Sequence, residues 1–265
     1  MRRTRILARA VVIGLFLAPV AFMVLGSLRG LDLPPQTGLD LVPDQPGTAA
    51  FRRLPEVIPL GRMVLNSLVV VALAVPVTVL VSTWAGFGMA VLSERARRIL
   101  IGVTVALLIL PLPTLWVARF VLYRWTGVLD TLVPLVAPAF AATSPFTVLL
   151  AYRAFRRLPP DLWEAARLEG SSPLRTWWSV GLPLVRPTTA AIAALAFTAH
   201  WGNYLDALLY VRSPELQTLA VGVAQLKDLD PSDAPLALAG ALVLTAVPLL
   251  LLAVVQRRLF AAVDR

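Results

Sequence analysis

The chain has 265 residues, of which 58% are hydrophobic and 15% charged, and its net charge is +9. Soluble domains are nearer half apolar and a quarter charged, so this composition excludes a purely soluble protein and indicates a membrane-embedded one. Cysteine is absent, which excludes a disulfide framework, a thiolate metal site and a cysteine nucleophile. The cations lie in short clusters between apolar runs, which argues against nucleic-acid binding, because that function needs a basic stripe on one soluble face.

Six charge-poor segments are long enough to cross the hydrocarbon core as helices, which takes about 20 residues each. We therefore predict an all-α, polytopic membrane protein with six transmembrane helices. It would form a single domain over residues 1–265, with a core at about 62–256 and a peripheral first helix at 10–28. In chain order the segments are Ala10–Leu28, Met63–Leu92, Ile99–Ala118, Thr131–Tyr152, Thr188–Leu205 and Pro235–Val255.

The first segment follows Met1-Arg-Arg-Thr-Arg and could be a secretory signal. It is longer than the apolar region of a signal peptide, and the rest of the chain also needs a membrane, so we expect an uncleaved helix. Prolines inside the later segments would break a soluble helix, but a helix bundle tolerates them where neighbours satisfy the freed carbonyls. These prolines are Pro76, Pro111, Pro113, Pro145 and Pro248.

The distribution of basic residues predicts the orientation, because cytoplasmic loops carry an excess of Arg and Lys. With the N-terminus inside, the predicted inner segments hold 16 of the 24 basic residues. Both termini and the segment 153–187 are then expected in the cytoplasm of a bacterial cell, beneath its inner membrane.

Two outer segments are longer than a tight connection. Residues 29–61 are Pro-rich and mixed in charge, and we expect a short helix near Phe51–Ile58. Residues 210–234 contain Asp228, Asp230 and Asp233. Because this trio lacks the regular ligand spacing and the closing glutamate of a calcium loop, it indicates a solvated loop and no metal site.

The inner segment 153–187 is predicted to form two short helices joined by a sharp corner. Asp161 and Glu164 have the spacing of a capping box at the start of the first helix. Gly170 stands where a left-handed glycine would stop it. Ser172 and Pro173 then suit the N-cap and first position of a second helix.

Small residues on the first of these helices favour close approach by another protein. Ala165 and Ala166 bury little by themselves, so they make sense where a partner's groove comes near the backbone. An amphipathic helix lying on the membrane is the alternative, although it would need a broader apolar stripe. Trp163, Trp177 and Trp178 would in part serve as interfacial anchors.

This segment resembles the EAA loop of permease subunits in binding-protein-dependent ABC importers. The matching residues are Glu164-Ala165-Ala166, Gly170, Val180 and Leu182-Pro183, at the spacing of that motif. The family favours Ile at the position of Val180 and commonly has Asp at the position of Glu169, and both departures are conservative.

Three further segments resemble the maltose-type carbohydrate permeases, so the likeness covers nearly the whole chain. They are Leu60–Leu68 at the mouth of the second predicted helix, His200–Gly222 over the fifth helix and the following outer loop, and Gln256–Phe260 near the C-terminus.

The resemblance implies a non-catalytic subunit that works with a second permease, two cytoplasmic ATPase subunits and an external solute-binding protein. The chain has no G-x-x-x-x-G-K-[ST] loop, so ATP would be bound by the partners, and we expect no cofactor here. The EAA loop would dock in a groove of the ATPase, with Glu164 as a polar anchor, Ala165 and Ala166 in close packing and Gly170 at the turn. Leu182 and Pro183 complete the coupling residues.

A carbohydrate is the expected cargo, with a non-sugar solute as the alternative. Aromatic, amide and carboxylate groups near the outer end of the fifth helix suit a sugar ring and its hydroxyls. Equally, the aromatic residues could belong to the membrane-interface belt and Asp206 could cap the helix. His200 is expected to pack rather than to relay protons. The candidate pathway residues are Asn66, Trp201, Asn203, Tyr204 and Asp206.

Two other classes of membrane protein fit less well. A membrane enzyme needs converging acid, base or metal ligands, and the sequence has one histidine and no intramembrane carboxylate pair. A secondary transporter would show charged residues at mid-membrane depth, which the predicted spans lack.

Overall fold

A computed structural model describes residues 2–31, 43, 46–111, 113–140, 144–228 and 233–263. Over these residues all regular secondary structure is helical. Asp230, which the sequence analysis singled out in an outer segment, lies outside the described residues, as does most of the stretch 32–45.

Fourteen α-helices are numbered here in chain order over the described residues, and three 3₁₀ turns and one π-helical stretch interrupt them. The 3₁₀ turns are Ala137–Ala139, Pro214–Leu216 and Leu226–Asp228, and the π-helix is Thr176–Gly181. The α-helices are α1 Arg2–Ser27, α2 Ala49–Val57, α3 Leu60–Val91, α4 Glu94–Ile109, α5 Pro113–Trp125, α6 Val133–Val136, α7 Pro145–Arg156, α8 Asp161–Leu168, α9 Pro173–Arg175, α10 Leu182–Leu184, α11 Arg186–Trp201, α12 Tyr204–Tyr210, α13 Leu219–Gln225 and α14 Ala234–Val263.

Two helices of the described chain are long and apolar enough to cross a membrane alone. They are α3 and the stretch Ala234–Leu251 of α14. The number rises to four if each of two bent helix pairs counts as one span, and Val11–Ser27 is a shorter apolar helix. Pro76 and Pro248 lie inside continuous helices, as the sequence analysis allowed.

Three of the predicted spans are broken rather than continuous. The third divides into α4 and α5, which meet at 94°, and Pro113 opens α5. The fourth, predicted as one helix over 131–152, contains the short α6 and a 3₁₀ turn before α7 begins at Pro145. The fifth stops at Trp201, and a new helix starts at Tyr204. Proline supplies the reason at the third and fourth, since it cannot donate a backbone hydrogen bond.

The chain divides into two compact units, of which the first comprises Met1–Leu65 and Gln217–Leu250. Helix α2, close to the short helix predicted near Phe51–Ile58, buries Ala50 and Leu54. The outer segment predicted as a solvated loop instead contains α13, whose residues Leu219–Val223 are all buried. Arg53 and Asp233 form an ion pair of 3.7 Å in this unit, which gives one member of the acidic trio a structural partner.

The second unit comprises Asn66–Leu216 and Leu251–Arg265. Its packing depends on a close approach of α3 and α7 at Gly86, where a Cβ atom would lie 2.6 Å from the backbone nitrogen of Tyr152. One turn away the hydroxyls of Ser82 and Thr147 share a buried hydrogen bond of 2.8 Å. These contacts hold α3 against α7, and both helices contact the candidate site described below.

Candidate functional site

The two short helices and the corner predicted within the inner segment 153–187 are called the elbow, and its first arm is α8. Pro160 occupies the N-cap position, and no side chain caps the helix. The predicted capping box is therefore wrong, because Asp161 is already the first helical residue rather than the residue before it. Asp161 and Glu164 still lie in the first turn, where carboxylates interact favourably with the positive end of the helix dipole.

The corner is a Schellman motif centred on Gly170, as the sequence predicts. Gly170 has φ +72°, its N–H donates to the carbonyl of Arg167 at 3.0 Å, and the N–H of Ser171 donates to the carbonyl of Ala166 at 2.9 Å. These two bonds satisfy carbonyls that the end of a helix leaves unpaired. A glycine is required by conformation alone, since a Cβ atom there would meet nothing within 4 Å.

The second arm begins at the predicted residues. Ser172 is the N-cap of α9, its hydroxyl oxygen accepts from the N–H of Arg175 at 3.4 Å, and Pro173 follows at the first helical position. The hydroxyls of Thr176 and Ser171 are 3.1 Å apart, which ties the corner to the π-helix that continues the arm. The chain then bends by 89° between Leu184 and Arg186, and α11 begins.

Two tryptophans fasten the elbow to the helices of its own unit. Trp163 lies 5.4 Å from Phe87 between ring centroids and 6.4 Å from Phe155. Trp177 is 5% exposed and lies 5.2 Å from the ring of Trp84. Trp177 is therefore part of the protein interior, whereas Trp163 is only half-buried, and interfacial anchoring by Trp163 and Trp178 stays a prediction.

The coupling residues divide between an inner and an outer face of the elbow. Glu164 and Ala165 are exposed, whereas Ala166 is buried in the subunit itself, so only the first alanine is available for close approach by a partner. Leu182 packs against the core cluster around Phe155, and Pro183 is exposed. The elbow also exposes the apolar side chains of Leu168, Leu174 and Leu184, which the sequence analysis did not single out, and of Trp178, which it did.

A second candidate region is a cavity of about 440 Å³ within the second unit, a size typical of small-molecule sites. Helices α3, α5, α7, α11 and α12 contribute to its wall. Its polar and aromatic lining comprises Thr78, Trp116, Arg119, Ser144, Thr147, His200, Asn203 and Asp206.

The structure brings only two of the predicted pathway residues to this cavity. Asn203 caps α12: its Oδ1 accepts from the N–H of Asp206 at 3.2 Å, and its Nδ2 donates to Asp206 Oδ2 at 2.9 Å. The alternative in which Asp206 caps the helix is therefore wrong. Asn203 is the cap, and it holds the Asp206 side chain. Both line the cavity.

The other three candidates lie outside the cavity lining. Asn66 donates from Nδ2 to the carbonyl of Glu215 at 2.9 Å, a contact between chain segments. Trp201 is 2% exposed and stacks on Phe197 with centroids 5.6 Å apart, and Tyr204 is on the surface. His200 lines the cavity and hydrogen-bonds the backbone of Leu135.

Residues 60–265 match the family described as "Binding-protein-dependent transport system inner membrane component". The chain belongs to this family. Such permeases are transport subunits and not enzymes, and they reside in the inner membrane as multi-pass proteins.

Relatives of this permease are found in Streptomyces. It is 32% identical over 218 residues to the putative ABC transporter permease protein ORF1 of Streptomyces antibioticus, covering 82% of this chain and 95% of the relative. It is also 32% identical over 212 residues to the diacetylchitobiose uptake system permease protein NgcG of Streptomyces coelicolor, covering 78% and 69% respectively.

The permease also shares its fold with a chain from the crystal structure of a bacterial ABC transporter involved in the import of the acidic polysaccharide alginate. The TM-score is 0.78 at 20% identity, with 97% of this permease and 98% of that chain covered.

The sequence analysis did not predict a polar contact of Asp130 with Arg212 and Ser213. Asp130 has φ 60°, and its Oδ1 accepts from the N–H groups of Arg212 and Ser213, both at 2.8 Å. Its Oδ2 accepts from the hydroxyl of Ser213 at 2.6 Å. These hydrogen bonds lower the pKa of the Asp130 carboxyl, and the bond from the Ser213 side chain has the largest effect. The bonded residues are 82 and 83 positions apart, so no local pattern marks them.

Proposed function

We propose that this permease is the membrane-spanning subunit of an ATP-driven importer whose cargo is a carbohydrate. The observation that carries the proposal is the elbow, which packs against helices of its own unit on one face and exposes Glu164, Ala165 and Leu168 on the other. Partner ATPase subunits would bind and hydrolyse ATP, and this chain would bind none. A non-sugar solute is the second candidate cargo.

The two faces of the elbow suit a mechanical joint. On the face that packs against its own unit, Trp163 and Trp177 make ring contacts with α3, and Trp163 also contacts Phe155 of α7. We therefore expect a displacement of the elbow to be transmitted to both helices. The outer face of the elbow presents Leu168, which is 90% exposed and follows the exposed Glu164 and Ala165 at helical spacing. An exposed apolar side chain beside a carboxylate is what a protein partner would cover, and the proposed partner is the ATPase.

The proposed topology has six spans with both termini in the cytoplasm, and contacts inside the second unit support its assignment of loops to two opposite sides of the membrane. Asp130 and Ser213, which the topology assigns to two outer segments, are hydrogen-bonded to each other. Trp163 of the inner segment packs against Phe87 and Phe155 near the C-terminal ends of α3 and α7, where the topology also predicts the inside. In both cases, residues that the topology assigns to the same side of the membrane are in contact.

Transport would follow alternating access, in which the closing and opening of the ATPase pair bias two arrangements of the helices. A second permease subunit would complete the pathway, and an external solute-binding protein would deliver the cargo to the segments 29–61 and 210–234. The coupling set remains Glu164, Ala165, Ala166, Gly170, Leu182 and Pro183, and Ala166 would act by seating α8 on its own subunit.

The proposal of a carbohydrate cargo draws on the relatives. One is named for diacetylchitobiose uptake, and others are named for arabinooligosaccharide and lactose transport. The polar and aromatic lining of the cavity is compatible with such a cargo.

The coupling role is tested by Leu168→Asp, assayed by co-purification with the ATPase subunit. Because Leu168 is 90% exposed, the substitution should leave the permease folded while the ATPase is lost and uptake stops. The control is Trp125→Asp, which alters a side chain 83% exposed at the far end of α5 and should not affect ATPase binding. Undiminished co-purification and uptake by Leu168→Asp would remove the coupling proposal.

The cargo is tested on the cognate binding protein by calorimetric titration with neutral oligosaccharides, acidic oligosaccharides, amino acids and polyamines. We expect micromolar binding of a saccharide. Binding of a non-sugar solute alone would select the second candidate and leave the coupling role intact. Proton-driven uptake by this chain without an ATPase would instead favour a secondary transporter.

A further inference from the structure

The cavity of the second unit contains polar groups that the protein itself does not satisfy. Thr78 is 4% exposed, and its buried hydroxyl has no hydrogen-bond partner among the described residues. A buried hydroxyl without a partner costs about 1–3 kcal/mol, so its retention calls for a reason. Its position in the cavity wall supplies one, because a bound molecule could complete the hydrogen bond.

Arg119 is a second unsatisfied group of the cavity. It is partly buried, and its guanidinium forms no hydrogen bond or ion pair within the described part of the chain. Asp206 offers a matching acceptor: Oδ2 already accepts from Asn203, whereas Oδ1 accepts from no described residue. The cavity thus presents donors from Arg119, an acceptor from Asp206 and the hydroxyl of Thr78, which can do either.

The lining also offers an aromatic surface beside the arginine. Trp116 and Arg119 are three residues apart on α5 and therefore lie on the same helix face. The carbonyl of Trp116 accepts from the hydroxyl of Tyr210 at 3.2 Å, which holds this turn of α5 against α12. The backbone from which the aromatic side chain and the guanidinium project is thus held without a ligand.

We propose that this permease contacts the cargo itself, and that the cavity binds one neutral sugar ring through Trp116, Arg119, Thr78 and Asp206. The inference rests on the proposed import function and assigns it a ligand class. The formal charges of Arg119 and Asp206 cancel, so the site has no excess of either sign. A neutral ring offers hydroxyls that both donate and accept, together with an apolar face for Trp116, whereas an acidic sugar would bring an uncompensated charge beside Asp206.

The site is tested in the complete assembly, with partner permease and ATPase subunits, in lipid nanodiscs free of sugar-based detergent. Saturation-transfer difference NMR is recorded with methyl β-glucopyranoside and, separately, with sodium glucuronate. We expect signal from the ring C–H protons of the neutral glycoside, at least tenfold weaker in Trp116→Leu and Arg119→Gln. The glucuronate should give less signal than the glycoside.

Matched controls lie on the same helix. Arg124 and Trp125 are exposed and absent from the cavity wall, so Arg124→Gln and Trp125→Leu should retain full signal. Thr78→Val is the most discriminating variant, because removing an unpaired buried hydroxyl should leave thermal stability equal or higher while weakening the glycoside signal several-fold. A purely structural threonine would show no loss of signal.

Three results would overturn the inference: no signal from the wild-type assembly, equal signals in Arg119→Gln and wild type, or a stronger signal from glucuronate. None of them would affect ATPase co-purification. Failure of the proposed coupling would appear there and in uptake, so the two ideas can fail separately.

Discussion

Trp163 meets Phe87 edge to face, with ring centroids 5.4 Å apart and planes inclined at 73°. One ring belongs to the elbow and the other to α3, the longest helix of the described chain. The contact joins a segment without membrane-spanning length to one that has it, so we expect the elbow and α3 to move together.

This coupling is measurable by a double-mutant cycle with Phe87→Leu and Trp163→Leu. The pair should contribute about 0.5–1.5 kcal/mol beyond apolar burial, which is typical of aromatic pairs in this geometry. The free energy of unfolding is measured for both single variants, the double variant and the wild type. Trp178→Leu is the control, since that side chain is 60% exposed and should change stability little. Strict additivity at positions 87 and 163 would contradict the contact.

Gly170 should be replaceable only by residues that adopt positive φ. Gly170→Val forces a β-branched residue to φ +72° and should destabilise the elbow by about 1–2 kcal/mol, with a marked loss of transport. Gly170→Asn should remain close to wild type, because asparagine tolerates this conformation and the added side chain meets no atom within 4 Å of its Cβ. Uptake and thermal unfolding are the measurements.

Gly127 provides the control for this position, because its φ is +71° and a Cβ atom would also meet nothing there. Gly127→Val carries the same backbone cost outside the elbow. It should lower stability comparably while leaving ATPase co-purification unchanged. Equal loss of co-purification in both valine variants would show that strain alone, and not the elbow, is responsible.

Gly86 and Gly88 should respond oppositely to alanine although both belong to α3. At Gly86 the new Cβ would lie 2.6 Å from backbone and side-chain atoms of α7, so Gly86→Ala should destabilise by about 1–3 kcal/mol through overpacking. At Gly88 a Cβ atom meets nothing within 4 Å, so Gly88→Ala should be neutral or stabilising by up to about 1 kcal/mol through helix propensity. Thermal denaturation of the two purified variants measures the difference, and equal effects would refute the close approach.

Asp130 should make stability depend on pH in the acidic range. Its folded-state pKa is lowered below the ordinary value of 3.8 by hydrogen bonds, first from Ser213 and then from Arg212. The contribution is therefore fully present above the unfolded-state pKa and is lost as the pH falls through the lower folded-state value. Asp130→Asn keeps a residue that tolerates φ 60° but removes the charge.

The difference in thermal stability between wild type and Asp130→Asn should be constant from about pH 7 to pH 5 and shrink below about pH 4. Asp130→Ala should be less stable than Asp130→Asn at every pH, since it also loses the acceptor oxygen and disfavours positive φ. A difference that grows on acidification would have the wrong sign for this contact.

Features of this protein that depend on neighbouring residues or on composition could be predicted from its sequence. The corner at Gly170 and the N-cap at Ser172 depend on residues within a few positions of each other, and both occur as predicted. The apolar runs indicated a membrane protein because composition alone decides whether a surface needs lipid. The spacing from Glu164 to Pro183 indicated the family, which the match over residues 60–265 confirmed.

The tertiary structure alone decided which side of each apolar helix faces protein. In α3, Leu65 is 59% exposed and Val70 is 2% exposed, yet both are aliphatic, so no periodicity separates the two faces. For the same reason the burial of Ala166 and Trp177 and the gathering of Thr78, Arg119 and Asp206 could not be predicted. Such contacts join residues far apart in the chain, and only the packing of whole helices determines them.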